Sequence, residues 1–302
     1  MASVAIESHE LTYEYAPGVG AVELDLEVLE GSVYGFLGPN GAGKSTAIRM
    51  LTGMVRPQRG SVSVLGLDPW TSSPELHKRM GVLASDQPAP RHHSGASLLD
   101  LLAKLRHRPD VVTRGHALAE RLALDLSKRG HELSLGNRQK LGLVLALSHE
   151  PELVILDEPT NGLDPLLQRE IGKLLRELAA EGRTVLLSSH SLPDVEAVAD
   201  HVGFIREARL VEQLPLAELA DRAMRSVTLR FEKPVEPDVF ASLDGVKRVQ
   251  VTHDGDVAVS FRGPVAQILS IAGELGAVTI EAHGVDLEET FLALYRGEAT
   301  ES

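Results

Sequence analysis

The sequence predicts an α/β fold with a parallel sheet core, followed by a small α+β domain. Short apolar segments alternate with helical segments up to about residue 220, which is the pattern of βαβ units. The segment 153–156 is entirely apolar, as expected for a parallel strand buried on both faces. Beyond residue 225 the order becomes strand, helix, strand, strand, helix, strand, which is the order of a ferredoxin-like module. We therefore predict one domain over residues 1–220 and another over 225–302.

The first domain is predicted from short apolar runs interrupted by Gly and Pro and from Leu residues at helical spacing. Leu recurs at that spacing within residues 97–148, so a helical subdomain is expected at about 90–150. The predicted strands are 4–7, 21–28, 32–37, 61–65, 153–156 and 184–187, and the predicted helices are 44–51 and 165–180.

The second domain contains no recognisable catalytic group, and its acidic residues are scattered as on solvated faces. We therefore expect it to regulate the first domain or to stabilise a dimer. Its predicted strands are 226–231, 246–251, 257–261 and 278–282, and its predicted helices are 238–243, 264–275 and 287–295.

Composition limits the kinds of partner and site. The chain has 302 residues and no cysteine, which excludes disulfides and thiolate metal sites. Its formal net charge of -13 argues against a nucleic-acid partner, because such binding depends on clustered Lys and Arg. No apolar run approaches the ~18 residues that cross a bilayer, and the first residues lack the pattern of a signal peptide. We expect a cytoplasmic protein whose membrane role, if it has one, depends on a partner.

A glycine-rich segment predicts a nucleotide site. Residues 38–45 match the phosphate-binding pattern G-x-x-x-x-G-K-[ST] between a predicted strand and a helix. Glycines let backbone N–H groups converge on phosphate oxygens, and the helix directs its positive end at them. We expect Lys44 to reach the β- and γ-phosphates and Ser45 to place its hydroxyl on Mg²⁺. The predicted ATP contacts are Gly38, Pro39, Asn40, Gly41, Ala42, Gly43, Lys44, Ser45 and Thr46.

Three polar residues follow predicted strands and complete a candidate catalytic group. Asp157 and Glu158 end the apolar strand at 153–156, and His190 ends the run from residue 184. Ligands of open α/β sheets lie beyond the carboxyl ends of strands. Asp157 is expected to hold Mg²⁺ through water, and Glu158 to orient or deprotonate the attacking water. Adjacent strand residues point to opposite sides, which gives the two acids different tasks. His190 is expected near the γ-phosphate.

The segment 133–139, L-S-L-G-N-R-Q, resembles the LSGGQ signature of the ATP-binding cassette (ABC) family. It opens a helix predicted at 138–148 and differs from the signature at Leu135 and Asn137. The resemblance implies that Ser134 and Gly136 contact the γ-phosphate of ATP bound by a second cassette, in a head-to-tail dimer. It also implies a P-loop NTPase fold of the ABC-ATPase type, with a parallel sheet core, an antiparallel β subdomain and a helical subdomain.

Other positions extend the resemblance. Tyr15 is similar to the aromatic residue that stacks on adenine, with Tyr13 as the alternative, and residues 161–164 resemble the D-loop, which makes Asp164 a candidate nucleotide contact. His190 falls at the family's switch histidine. The family's Q-loop residue contacts Mg²⁺ and the permease, and counting from residue 80 places Ser85 there. Asp86 and Gln87 follow, and we take Gln87 as the predicted Mg²⁺ ligand.

The resemblance implies an ATPase of an exporter, bound at the cytoplasmic face to a separate membrane permease through the region 90–130. A homodimer is expected, and a heterodimer with one degenerate site is the alternative. The C-terminal segment 287–292 also resembles the end of a small domain found on some ABC-exporter ATPases, which favours export. An importer ATPase and a soluble ABC protein acting on ribosomes or nucleic acid are the other readings. An ordinary P-loop kinase would leave the signature and the paired acids unexplained.

Overall fold

A computed structural model describes residues 3–85, 90–222, 224–233, 235–252 and 254–286 of the chain. The backbone contacts divide the chain into two compact units, Met1–Leu214 and Pro215–Ser302. The sequence placed the boundary between 220 and 225, whereas the contacts assign the short helix that begins at residue 216 to the second unit. None of the helices in the described ranges combines the length and hydrophobicity that a membrane span requires.

The first unit alternates strands with helices along most of its length. Its strands are β1 (Val4–Ala16), β2 (Val19–Leu24), β3 (Glu27–Leu29), β4 (Val33–Leu37), β5 (Arg59–Val64), β6 (Met80–Leu83), β7 (Leu153–Asp157), β8 (Thr184–Ser189), β9 (His201–Arg206) and β10 (Arg209–Pro215). Its helices are α1 (Lys44–Leu51), α2 (Ser73–Arg79), α3 (Gly95–Arg106), α4 (Asp110–Arg121), α5 (Leu135–Leu147), α6 (Pro165–Ala180) and α7 (Leu192–Glu196).

A six-stranded sheet of order β10-β9-β4-β8-β7-β6 forms the centre of this unit, and its neighbours from β9 to β6 run parallel. Every residue of β4, β7 and β8 is buried, which is why these strands carry almost no polar side chain before their last residues. The expected parallel sheet core is therefore confirmed. Its pairing places Leu37 opposite Ser189 and Asp157 opposite Ser188, so these strands end at one edge.

The antiparallel sheet corrects one sequence expectation. A single strand was expected at 21–28, but β2 and β3 are separate and both pair with β1, which extends well beyond residue 7. The chain turns between them because Ser8 Oγ accepts from the backbone N–H of Leu26 and Asp25 accepts from that of Glu10. β5 also pairs with β1 and completes the antiparallel β subdomain.

Two strands of the six-stranded sheet that the sequence analysis missed, β6 and β9, contain glycines at close contacts. A Cβ at Gly81 would lie 2.1 Å from the carbonyl oxygen of Ala146 in α5. At Gly203 it would lie 2.1 Å from the hydroxyl of Tyr34. Close packing requires glycine at these two positions. Because glycine is depleted in strands and interrupts the apolar pattern, the sequence did not indicate a strand at either place.

The stretch 97–148, expected to be mostly helical, is divided into α3, α4 and α5, and His107 in the left-handed region caps α3.

The second unit contains α8 (Leu216–Arg222), β11 (Met224–Phe231), α9 (Asp238–Ala241), β12 (Val246–Val251), β13 (Val257–Phe261), α10 (Ala266–Glu274) and β14 (Ala277–Asp286). Its antiparallel sheet has the order β12-β13-β11-β14, with a helix after the first and third strands, as in a ferredoxin-like fold. Val227 and Val259 from the sheet pack with Phe240 of α9 and Ile268 of α10. The helix expected at 287–295 and the motif at 287–292 lie outside the described residues.

The burial of His149, just beyond α5 in the first unit, can be tested through the pH dependence of stability. Its side chain is 4% exposed and its Nε2 lies 3.2 Å from the Met80 carbonyl oxygen. Burial lowers the pKa of His149 to about 4, and the Arg106 and Arg108 charges act in the same direction. The unfolded chain, with a His pKa of about 6.5, therefore binds the proton more readily, so acidification between these values favours unfolding.

We expect the free energy of unfolding to fall on the order of 2 kcal/mol more in the natural chain than in His149→Gln when the pH is lowered from 7 to 4. Urea denaturation of both proteins across that range measures the difference, and the carboxylates that titrate in both proteins cancel. Parallel pH profiles would show that His149 is not held neutral by the fold.

Candidate active site

The loop between β4 and α1 has the geometry of a phosphate cradle. Gly41 and Gly43 have φ values of 81° and 107°, in the left-handed region that favours glycine. A Cβ at Gly38 would lie 2.4 Å from the Ile205 carbonyl oxygen, and one at Gly43 would lie 2.1 Å from that of Gly20. Gly43 is the N-cap of α1 and provides no side-chain cap, which leaves the N–H groups of the first turn available to an anion.

The other predicted loop residues have distinct positions. The Ala42 N–H donates to the Pro39 carbonyl and closes the loop, and Asn40 is exposed at its tip. Thr46 is buried in the first turn of α1. Lys44 is 5% exposed, and its ammonium donates to the carbonyl oxygens of Gly38 at 2.5 Å and Pro39 at 3.1 Å. The same ammonium lies 3.3 Å from Glu158 Oε1, so Lys44 forms an ion pair with the predicted catalytic acid.

Asp157, at the end of β7, is buried and accepts hydrogen bonds from serine hydroxyls. Ser45 and Ser85 both donate to Oδ2, at 2.7 and 2.8 Å, and Ser188 donates to Oδ1 at 2.5 Å. These groups offer oxygen atoms alone, which is the donor set that Mg²⁺ prefers. The carboxylate and the Ser45 hydroxyl therefore fit the magnesium site predicted from the sequence.

Glu158 is oriented by a change in backbone conformation rather than by strand alternation. β7 ends at Asp157, and Glu158 has a φ of 51°, a left-handed conformation that is strained for a side chain with a Cβ. Its N–H donates to Ser188 Oγ, and its carbonyl accepts from Gln139 Nε2 at 2.8 Å. His190 Nδ1, after β8, lies 2.8 Å from Glu158 Oε2. The predicted catalytic residues Lys44, Glu158 and His190 therefore form one connected group.

The signature segment begins a helix earlier than expected. Ser134 caps α5, and its Oγ accepts from the Asn137 N–H at 3.3 Å, so the helix starts at Leu135 and not at residue 138. Leu135 is 61% exposed. A Cβ at Gly136 would lie 3.2 Å from the carbonyl oxygen of Gly162, so Gly136 lies against the 161–164 segment of its own chain.

Asp164, predicted to contact nucleotide, caps α6 in this chain. Its Oδ1 accepts from the N–H groups of Leu166 and Leu167, each at 3.1 Å. Two residues later, Leu166 is 77% exposed. The cap accounts for an aspartate at this position, and the predicted nucleotide contact of Asp164 remains a prediction.

Of the two tyrosines considered for adenine stacking, Tyr15 is the accessible one. It is 53% exposed, and its hydroxyl accepts from Arg49 Nη1 at 3.1 Å. Tyr13 is half-buried, packs against the core and contacts Tyr15 edge-on, with ring centroids 4.9 Å apart. Tyr15 therefore remains the candidate. Gln87, the predicted Mg²⁺ ligand, and Asp86 lie outside the described residues.

Sequence reasoning missed Ser188 and Gln139. Ser188 and Ser189 form a polar pair at the end of β8, beside the strand that carries the acids. This pattern could have marked Ser188 as a site residue from the sequence. Gln139 belongs to the signature segment but reaches Glu158 through a tertiary contact that no local pattern marks.

Comparison with known proteins gives consistent matches. The family model described as ABC transporter matches residues 22–161. The bacitracin transport ATP-binding protein BcrA of Bacillus licheniformis is 36% identical over 302 residues, covering 98% of both chains. The daunorubicin resistance ATP-binding protein DrrA3 of Streptomyces coeruleorubidus is 34% identical over 225 residues, 72% of this chain and 71% of that protein. A solved ATP-binding subunit of an ABC transporter is 28% identical, with a TM-score of 0.65 over 71% of this chain and 91% of that chain.

The serine pair on β8 allows a matched test of the site's construction. Ser188→Ala leaves a buried carboxylate oxygen and a backbone N–H without their partner, which costs about 1–3 kcal/mol. Ser189→Ala, on the next residue, removes one contact to the Ser191 N–H and no contact to an acid among the described residues. We expect the urea midpoint to fall clearly more for Ser188→Ala. Equal shifts would mean that Ser188 does not hold the two acids in place.

Proposed function

The chain belongs to the ABC transporter family as an ATP-binding, ATP-hydrolysing subunit, and from this premise we propose that it powers export through a separate membrane permease. The observation that carries the hydrolytic part of the proposal is the convergence of Lys44 and His190 on the two carboxylate oxygens of Glu158, beside the phosphate cradle. This arrangement supports hydrolysis rather than nucleotide binding alone.

In the proposed reaction, the loop amides and the α1 N-terminus bind the phosphates, and Lys44 contributes a positive charge beside the γ-phosphate. Glu158 orients the attacking water and accepts its proton, and His190 fixes the carboxylate through Oε2. Glu158 Oε1 is buried and makes no hydrogen bond among the described residues, although Lys44 lies nearby. That oxygen is therefore the one we assign to the water.

Ser45 and Asp157 are the residues that we assign to Mg²⁺, Asp157 through water. The ion, when bound, would neutralise charge on the β- and γ-phosphates. The buried position of Asp157 favours this role, since a buried carboxylate with hydroxyl partners alone gains from a nearby cation.

Two exposed apolar side chains support a dimer with a second cassette. Leu135, within the signature segment, is 61% exposed, and Leu166, two residues beyond the 161–164 segment, is 77% exposed. A Cβ at Gly162 would lie 3.1 Å from Leu135 Cδ2, so the two segments form one surface. Large apolar side chains clustered on a surface mark interaction sites. We assign this surface to a second copy of the chain, in which Ser134 and Gly136 would meet the partner's ATP and Tyr15 would stack on adenine.

An apolar groove between β6 and α3 is the proposed permease site. The groove has a volume of about 350 Å³ and is lined by Met54, Met80, Leu101 and Leu105, and Leu105 is 70% exposed. Leu101 and Leu105 belong to the region 90–130 that is expected from the sequence to meet the permease, whereas Met54 and Met80 lie outside it. The chain would then be held at the cytoplasmic face of the membrane through this partner. An apolar cytoplasmic helix of the permease fits a groove of this kind.

Export is favoured by the relatives. One is named for bacitracin transport and another for daunorubicin resistance. The first matches 98% of both chains, so the likeness includes the second unit as well as the cassette. We propose export here, and assign the second unit a regulatory or dimer-stabilising role.

The role of Glu158 is tested by Glu158→Gln, with Glu207→Gln as the matched control on an 85% exposed glutamate. We expect ATP hydrolysis to fall by the ~10²–10⁴-fold of a lost general base, with the ATP dissociation constant nearly unchanged. Steady-state phosphate release and equilibrium binding of a fluorescent ATP analogue measure the two quantities. Near-normal turnover of Glu158→Gln would remove the assigned base.

The permease assignment is tested by purifying tagged Glu158→Gln from its native cell in mild detergent with Mg·ATP. A polytopic membrane protein should be recovered, and adding Leu105→Glu should abolish its recovery because a charge would enter the apolar groove. Val211→Glu, which changes an exposed valine on β10, should have no effect. Recovery of ribosomes or nucleic-acid proteins, or recovery of the membrane protein that Leu105→Glu does not reduce, would contradict the proposal.

A further inference from the structure

A groove of about 540 Å³ lies between α6 and α7, and we call it the α6–α7 groove. Its described lining residues include none that the proposed function assigns to ATP or to the permease. The side chains at its floor are apolar and at most 4% exposed: Ile171, Leu175, Leu187 and Val198. A Cβ at Gly172 would lie 3.0 Å from Val198 Cγ1, so α6 and the segment after α7 are closely packed there. The volume falls within the ~300–1,000 Å³ of small-molecule sites.

Three cations lie along one wall of the α6–α7 groove. Arg169, Lys173 and Arg176 are exposed residues of α6, and their spacings of four and three place them on one side of the helix. Like charges at these spacings repel each other. Lys173 lies 3.8 Å from Glu170, and Arg176 donates to the Ala197 carbonyl at 3.0 Å. Among the described residues neither arginine forms an ion pair, so the repulsion along this wall is only partly offset.

The charges and the floor of the groove together define the chemistry of a ligand. Asp194 is the one acid among the described lining residues, and its Oδ2 accepts from Thr160 Oγ1 at 2.8 Å. The lining is therefore positively charged above an apolar floor. Guanidinium groups bind carboxylates and phosphates through paired hydrogen bonds. A molecule with an anionic head and an apolar chain would satisfy both parts of the groove.

We propose that the α6–α7 groove binds a free amphipathic anion, an apolar chain with a carboxylate or phosphate head, and that its binding changes the rate of ATP hydrolysis. Thr160 and Asp194 both line the groove. Thr160 follows Glu158 by two residues and Asp194 follows His190 by four, so a ligand would contact both segments that carry the catalytic pair. The effect on hydrolysis rests on the proposed function, whereas the binding site does not.

The first test measures binding to the full chain without nucleotide. Decanoate, below its micellar concentration, is titrated by isothermal calorimetry, with acetate as the head alone and decanol as the apolar chain alone. We expect one decanoate to bind per chain, and both partial probes to bind about tenfold more weakly or less, because each satisfies only one part of the groove. Equal affinity for decanoate and decanol would show that the cations do not recognise the head, which would overturn the proposal.

Variants locate the decanoate on the chain. Replacing both arginines, Arg169→Gln with Arg176→Gln, should raise the dissociation constant about tenfold. Ala197→Phe should also raise it, because the larger side chain fills part of the groove from the wall opposite α6. Arg56→Gln, which changes an exposed arginine between α1 and β5, is the matched control and should have no effect. Unchanged constants in the double variant and in Ala197→Phe would place the binding elsewhere and overturn the proposal.

The second test measures steady-state phosphate release with and without decanoate. We expect decanoate to change the rate about twofold or more in the natural chain, the equivalent of about 0.4 kcal/mol, and to have no effect in the double arginine variant. Binding that leaves the rate unchanged would overturn the link to hydrolysis, and a change that persists in the double variant would show that it does not act through the groove. Loss of hydrolysis in every variant, with decanoate binding intact, would count against the proposed function alone.

A third measurement separates a free ligand from a membrane surface. The natural chain and the double arginine variant are sedimented with phosphatidylglycerol vesicles. We expect the two proteins to behave alike, because a lipid held in a bilayer cannot place its chain in the groove. Sedimentation of the natural chain, but not of the double variant, would assign the three cations to a membrane surface and overturn the proposal of a free ligand.

Discussion

Parallel hydrogen bonding between β4, β8 and β7 places the ends of three buried strands at one edge of the central sheet. The phosphate loop follows the first strand, His190 follows the second, and Asp157 and Glu158 end the third. A shift of β7 by one residue would exchange the two faces of the strand and move Asp157 away from Ser45. The geometry of the site therefore depends on a strand register that the buried apolar residues of these strands fix.

Glu158 shows how local strain and tertiary contacts position one side chain. Its left-handed backbone conformation turns the carboxylate out of the strand line, toward Lys44 and His190. The bonds to Ser188 and Gln139 hold the backbone in that conformation from both sides, which offsets its cost. Gln139 lies on α5, the helix that Ser134 caps. In the proposed dimer, a partner's ATP at the α5 N-terminus would thus be linked to Glu158 of the same chain through that helix.

The parts of the site that consist of consecutive residues could be predicted from the sequence. The phosphate loop, the acid pair and the signature are contiguous patterns, and the buried parallel strands that present the acids and His190 are apolar runs. It could not predict contacts such as Ser85 with Asp157, because these depend on the pairing of β6 with β7. β6 itself was concealed by Gly81, which is needed for close packing on α5. The early start of α5 was missed because Ser134 was interpreted as a ligand-binding residue and not as a helix cap.

A hydrogen bond on the far side of the site connects the segment after Glu158 with the segment after His190. Thr160 Oγ1 donates to Asp194 Oδ2 at 2.8 Å, and Asp194 lies in α7, which begins two residues after His190. Gln168 of α6 also donates to the Thr160 carbonyl, at 3.4 Å. The loop that follows Glu158 is therefore tied to α7 as well as to α6. In the proposed dimer this loop would lie at the contact with the second cassette, so that contact would bear on the segments that carry both Glu158 and His190. Hydrolysis would then depend on the closed dimer through residues of this chain as well as through the partner's signature.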